Sequence, residues 1–198
     1  MVDASVQTEK LTVDEFMRLY ETEGPFEILD GERIDQVSTG AKHGVIARTL
    51  WRALDRFIES HALGELFHEQ AFILPDPENK NWVGGSRIPD LMFVNSARYA
   101  AYWDEYGEQE NPPMALIPDL VVEIVSPTDI HEDVDRKVDL SLEDGVQQVW
   151  VIKPKTQTVT VYEGSQRRNL TKDHTLTGSD ILPGFEIPVA SLFEEIKS

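Results

Sequence analysis

The chain has 198 residues, of which 36 are acidic, 18 basic, 40% hydrophobic and none cysteine, and its formal charge is −18. Length and apolar content suffice for one domain with a sizeable core, so the charge does not imply disorder, and the lack of cysteine excludes disulfide stapling and thiolate chemistry. Apolar runs such as Leu120 to Val122 fall far short of the ~20 residues of a membrane span, so no membrane partner is expected. No basic start followed by an apolar stretch opens the sequence, which makes a cytoplasmic location the expectation. A surface this acidic repels nucleic acid, so any chemistry on nucleic acid needs local cations.

Thr12 and Glu15 form a capping box ahead of Phe16, Met17, Leu19 and Tyr20, predicting a short helix that stops at Gly24-Pro25. Phe26-Glu-Ile and Arg33-Ile-Asp-Gln-Val flank Asp30-Gly31 and read as an alternating hairpin closed by a tight turn. From about Ala41 to Ser60, Ile46, Leu50, Ala53, Leu54 and Phe57 recur at helical spacing with Arg48, Arg52 and Arg56 opposite, which predicts the main amphipathic helix. After Gly64 the pattern turns to strands: Leu66 to Leu74, Ile88 to Val94, Leu120 to Val125, Gln148 to Ile152 and Thr156 to Tyr162. Gly84-Gly85 reads as a turn without the lysine spacing of a phosphate-cradling loop. Arg98 to Met114, aromatic and acidic, reads as an inserted excursion; Asp129 to Asp144 reads as a helix closed by Gly145, and Ile181 to Pro188 as a loop before a short terminal helix. The expectation is one α/β domain spanning residues 1–198.

Two carboxylates sit where carboxylates are costly. Asp90 lies in Arg87-Ile-Pro-Asp-Leu-Met-Phe-Val, and Glu123 lies in Leu120-Val-Val-Glu-Ile-Val, a run apolar enough to be covered on both faces. Each must be paired, protonated or bound to metal. On neighbouring strands they would converge on one point and could hold Mg2+ or Mn2+. Lys137 borders the Val134, Val138 and Ser141 row of its helix, from which its amine can extend over the strand ends. Two acids, a hard cation and an amine suit phosphodiester hydrolysis. Structural alternatives exist for each: Glu123 as a member of an ion pair, Lys137 as the exposed partner of Asp133 four residues before it, and the arginine stripe as a solvated helix face rather than a phosphate contact.

The order Pro89-Asp90, Glu123-Ile-Val-Ser-Pro, Lys137, Gly145-Val146, Trp150-Val-Ile-Lys-Pro and Thr158-Val-Thr-Val-Tyr resembles the bacterial putative restriction endonuclease family of the PD-(D/E)XK nuclease superfamily. Asp30-Gly-Glu, His43 at a helix start and Leu182-Pro-Gly-Phe fit the same pattern, so the resemblance covers roughly Leu11 to Phe193. It implies an α/β (α+β) restriction-endonuclease-like fold, a mixed sheet flanked by helices. It also implies a Mg-dependent endodeoxyribonuclease acting on DNA, with Mg2+ (or Mn2+) held by Asp90 and Glu123 and with Lys137 and His43 completing the catalytic set. Position 125 is Val, and in the family that resembles this chain the lysine likewise comes from the following helix, where Lys137 corresponds. Glu32 is a further candidate from the hairpin. The chain departs from the family pattern at Ser141, where an aromatic is usual, and at Lys153, where an Asp is usual. By analogy with enzymes that cut both strands, a homodimer is expected. The alternatives are a catalytically inactive nuclease-fold module acting in protein interaction or regulation, and an RNA nuclease. His43 is either a metal-proximal group or a core histidine bonded to backbone. Trp103 and Tyr106 read as a lid, a dimer contact or a loop anchor, and Arg167, Arg168 and Lys172 as a second small basic patch.

Overall fold

A computed structural model describes residues 10–36, 40–127 and 131–194, without the side chains of residues 131 and 132. Helix α1 (Val13–Glu23) starts at the expected capping box, with Thr12 and Glu15 bonding each other's backbone. The hairpin of β1 (Phe26–Leu29) and β2 (Glu32–Asp35) turns at Asp30 and Gly31, both with positive φ (50° and 78°), which suits the Asp-Gly dipeptide. The expected end of the second strand, Val37, lies outside the described residues. Helix α2 (Ala41–His61) follows and buries Ile46, Leu50, Leu54 and Ile58.

Six strands form the central sheet in the order β10-β9-β8-β7-β6-β3. They are β3 (Gly64–His68), β6 (Leu91–Asn95), β7 (Leu120–Ile124), β8 (Gln148–Lys153), β9 (Thr158–Glu163) and β10 (Gln166–Leu170). All neighbours are antiparallel except β7 and β8, which run parallel and are joined through α4 (His131–Glu143). The start of the helix expected from Asp129 lies outside the described residues. A second sheet, β2-β1-β5-β4, uses β4 (Phe72–Pro75) and β5 (Val83–Arg87).

Strand alternation assigns the two faces of the central sheet. Leu120, Val122 and Ile124 pack with Leu50 and Leu54 of α2, while Val121 packs with Val138 of α4. Each fully buried Leu contributes roughly 1.5–3 kcal/mol. Glu123 shares the Val121 face, so it lies on the side that α4 covers.

Several expected elements differ. The run Leu66 to Leu74 is two strands in different sheets, separated by a bend in which Glu69 takes φ 49°. Gly84 and Gly85 lie inside β5 rather than at a turn: a Cβ on Gly84 would come within 3.3 Å of Leu74 O, so a close neighbouring strand accounts for glycine there. The excursion after Val94 contains α3 (Ser96–Tyr106), capped by Asn95 and carrying Tyr99, Tyr102 and Tyr106 at helical spacing. Trp103 on this helix is 45% exposed and packs edge-on against Tyr99 and Tyr102. The loop expected at Ile181 to Pro188 is largely β12 (Leu182–Pro188), paired with β11 (Thr175–Gly178) and followed by a 3-10 turn, Val189–Leu192. No helix among the described residues is long and apolar enough to cross a membrane.

Asp119 ties these layers together. Its Oδ2 accepts from Asn95 N at 2.7 Å and Asn95 Nδ2 at 2.8 Å, its Oδ1 accepts from Gln147 Nε2 at 2.5 Å, and the residue is buried. Asp119→Ala strands several of these donors, so a loss of about 3 kcal/mol is expected, read as a lower urea midpoint with an unchanged slope.

Candidate active site

The register of β6 against β7 pairs Leu91 with Val122. One step further along both strands, Asp90 comes opposite Glu123, and cross-strand partners share a face. The two carboxylates therefore meet at one end of the central sheet, Glu123 on the face that α4 covers. Asp90 is fixed at both oxygens: Oδ2 accepts from Ile124 N at 2.6 Å and Oδ1 lies 2.9 Å from His43 Nε2. His43 is buried in the first turns of α2. Its partner is thus the carboxylate at the strand end, which places it beside the acids.

Lys137 enters from the opposite layer. Its turn of α4 is anchored by buried Val138 and by Ser141 Oγ donating to Lys137 O at 2.7 Å. Its Nζ does not pair with Asp133. It lies 2.5 Å from Glu27 Oε2. Burial works against the ammonium, but the charges of Glu123, Glu27 and Asp90 together with the Glu27 contact outweigh it and raise the Lys137 pKa. The amine is therefore a fixed positive charge at every physiological pH.

Glu27 is the member that sequence reasoning missed. Alternation along its hairpin strand turns the acid outward, yet Phe26, Glu27, Ile28 and Leu29 are all buried and the Glu27 side chain is 1% exposed. Oε1 accepts from Ile88 N at 2.9 Å, two residues before Asp90, and Oε2 has the Lys137 ammonium as its partner. The available signal was an acid flanked by large apolar side chains on both sides. Glu32, by contrast, is exposed and lies 3.7 Å from Arg136, whose main contact is Asp30 at 2.8 Å. The departures Ser141 and Lys153 displace none of these groups: Ser141 is bonded within α4, and Lys153 closes β8.

The assembled set is three carboxylates, one histidine and one ammonium, drawn from both sheets and both flanking helices. Its donors are hard oxygens, and Asp90 and Glu123 are the groups that could hold a small divalent cation, since Mg2+ is usually bound by one or two carboxylates with waters and phosphates filling the rest. Among the described residues no three His, Asp or Glu side chains are arranged to enclose an ion by themselves. The site can therefore offer open, partial ligation rather than a closed protein cage.

A search of solved structures returned, among its matches, the crystal structure of a protein from Anabaena variabilis, described as a putative nuclease belonging to DUF820. That chain is 25% identical, aligns over 92% of this chain and 97% of its own length, and superposes with a TM-score of 0.74. Identity this low with coverage this complete makes the shared architecture the firm part of the likeness. No curated protein matches the chain. Residues 13–190 match the family Uma2, whose description is "Putative restriction endonuclease". That span takes in Glu27, His43, Asp90, Glu123 and Lys137, and the chain is a member of the Uma2 family.

Proposed function

We propose that the protein is a metal-dependent endonuclease that hydrolyses phosphodiester bonds in DNA, with Asp90 and Glu123 as the residues that hold Mg2+ or Mn2+. The observation that carries this reading is the convergence of Asp90, Glu123 and a permanently charged Lys137 at one strand end. When bound, a hard divalent cation supplies Lewis-acid polarisation of the phosphodiester. The chain's own groups do the rest. His43 and Ile124 N hold both oxygens of Asp90 in one orientation, so the carboxylate needs little reorganisation to meet a cation. Lys137 cannot accept a proton and so acts as a preorganised positive charge toward the negative charge that builds on phosphoryl oxygens. Glu27 keeps that ammonium in place. A second copy of the chain would supply the second cut of a duplex, which is the argument for a homodimer.

Purified protein incubated with supercoiled plasmid or circular single-stranded DNA should cut in Mg2+ or Mn2+ and stop in EDTA. Asp90→Asn, with folding checked by circular dichroism, should be inactive under the same conditions. Cutting of RNA but not DNA would reassign the substrate. Cation-independent behaviour with no cutting of either would leave the fold as a binding module.

A further inference from the structure

A groove of about 400 Å3 opens beside the carboxylates, between the first turns of α2 and the bend that follows β3. Such a volume lies within the ~300–1,000 Å3 of small-ligand sites. His43 forms part of its wall, and Glu69, also on the wall, donates its backbone N–H to Asp90 O at 3.1 Å. The groove therefore adjoins the residue placed at the centre of the site.

Its lining combines rings with a cation. Half-buried Trp51 and exposed His68 meet at 6.1 Å between centroids with their planes 87° apart, and Arg48 stands one turn before Trp51. The stretch of sequence that supplies the α2 wall differs in charge from the rest: in a chain with 36 acidic residues, Gln36 to Leu54 contains none, yet includes Lys42, Arg48 and Arg52. The one carboxylate on the wall, Glu69, lies 3.9 Å from His68 Nε2.

We infer that this groove is a subsite for one unpaired nucleotide beside the scissile phosphate, with its base against Trp51 and its phosphate on Arg48. This rests on the nuclease reading and names the substrate class of that site: single-stranded, frayed or extruded DNA. Within an intact duplex both faces of a base are occupied by its neighbours, so a ring-lined groove is accessible only to a base that has left the stack. A guanidinium beside it matches the geometry of a phosphate. The patch at Arg167 and Arg168 has no such ring-lined groove beside Asp90, and Arg167 lies over Tyr162 instead.

The test is fluorescence anisotropy of a labelled twelve-nucleotide oligothymidylate and a twelve-base-pair duplex, each titrated with the full chain in EDTA so that no cleavage intervenes. The single strand should bind about tenfold tighter than the duplex, and Arg48→Ala and Trp51→Leu should each weaken it about tenfold, whereas Arg167→Ala should not. Arg48 is exposed, so its variant stays informative even if Trp51→Leu fails to fold. Equal affinity for the two probes, or an Arg48→Ala affinity matching the unaltered chain, would overturn the subsite. Cleavage assays on the same proteins separate the two ideas. Cutting that survives with groove-insensitive binding removes the subsite alone. Arg48-dependent binding without any cutting removes the nuclease reading alone.

Discussion

Lys137→Met should lower the free energy of unfolding by about 3–5 kcal/mol and abolish cleavage. The destabilisation comes from the group left behind: Glu27, 1% exposed, would keep a buried charge whose ammonium partner at 2.5 Å has gone. If that is the cause, Glu27→Met combined with Lys137→Met should recover most of the lost stability, because an apolar pair has no charge to strand. Cleavage should stay absent in the double variant, which separates folding from chemistry. The sign of the pH dependence also follows. Folding raises the lysine pKa above its ordinary 10.5, so the pair's contribution is complete below that value and declines as pH rises through the folded-state pKa. The gap between unaltered protein and Lys137→Met, from urea midpoints, should therefore be level between pH 8 and 10 and shrink above about 10.5. A level gap with no recovery in the double variant would mean that Lys137 stabilises through packing alone.

The second large effect concerns Glu123. With Mg2+ at a hundredfold excess over its dissociation constant, linkage gives about 2.7 kcal/mol of stabilisation, or roughly 5–10 °C in melting temperature for a chain of this size. Glu123→Gln should lose that rise and lower the cleavage rate about a hundred- to a thousandfold, on the scale of removing one preorganised electrostatic contact from an active site. Without divalent ions the same substitution should leave the melting temperature unchanged or slightly higher, because it removes one of three like charges grouped around a single ammonium. An equal Mg2+-induced rise in Glu123→Gln would move the cation away from this residue.

Where a pattern was local, the sequence announced it. The capping box at Thr12 and Glu15, the Asp30-Gly31 turn and the apolar spacing of α2 each depend on residues within a few positions of one another. Family resemblance added the order in which Asp90, Glu123 and Lys137 occur, and that order singled out one of three Pro-Asp pairs. Asp76 is the partner of Lys10, and Asp119 is a buried structural hub, so the dipeptide alone distinguishes nothing. Long-range partners were illegible. Nothing near Lys137 points to Glu27, and alternation in the hairpin pointed Glu27 outward because the groups that receive it, Ile88 N and Lys137, lie much later in the chain. Polar β10, with Gln166, Arg167, Arg168 and Asn169 in sequence, carries no apolar period because it is an edge strand. In α3 the tyrosine spacing was present but was overshadowed by the Pro112-Pro113 pair that follows.

Arg136, next to Lys137 on α4, grips the hairpin tip through Asp30, a residue 106 positions earlier, just as Lys137 grips Glu27. Halves of the polypeptide synthesised well apart must therefore meet before the ammonium and the carboxylates share a neighbourhood. A nascent or half-unravelled molecule therefore holds the residues of the candidate site without the site itself, which exists only once the two halves have docked.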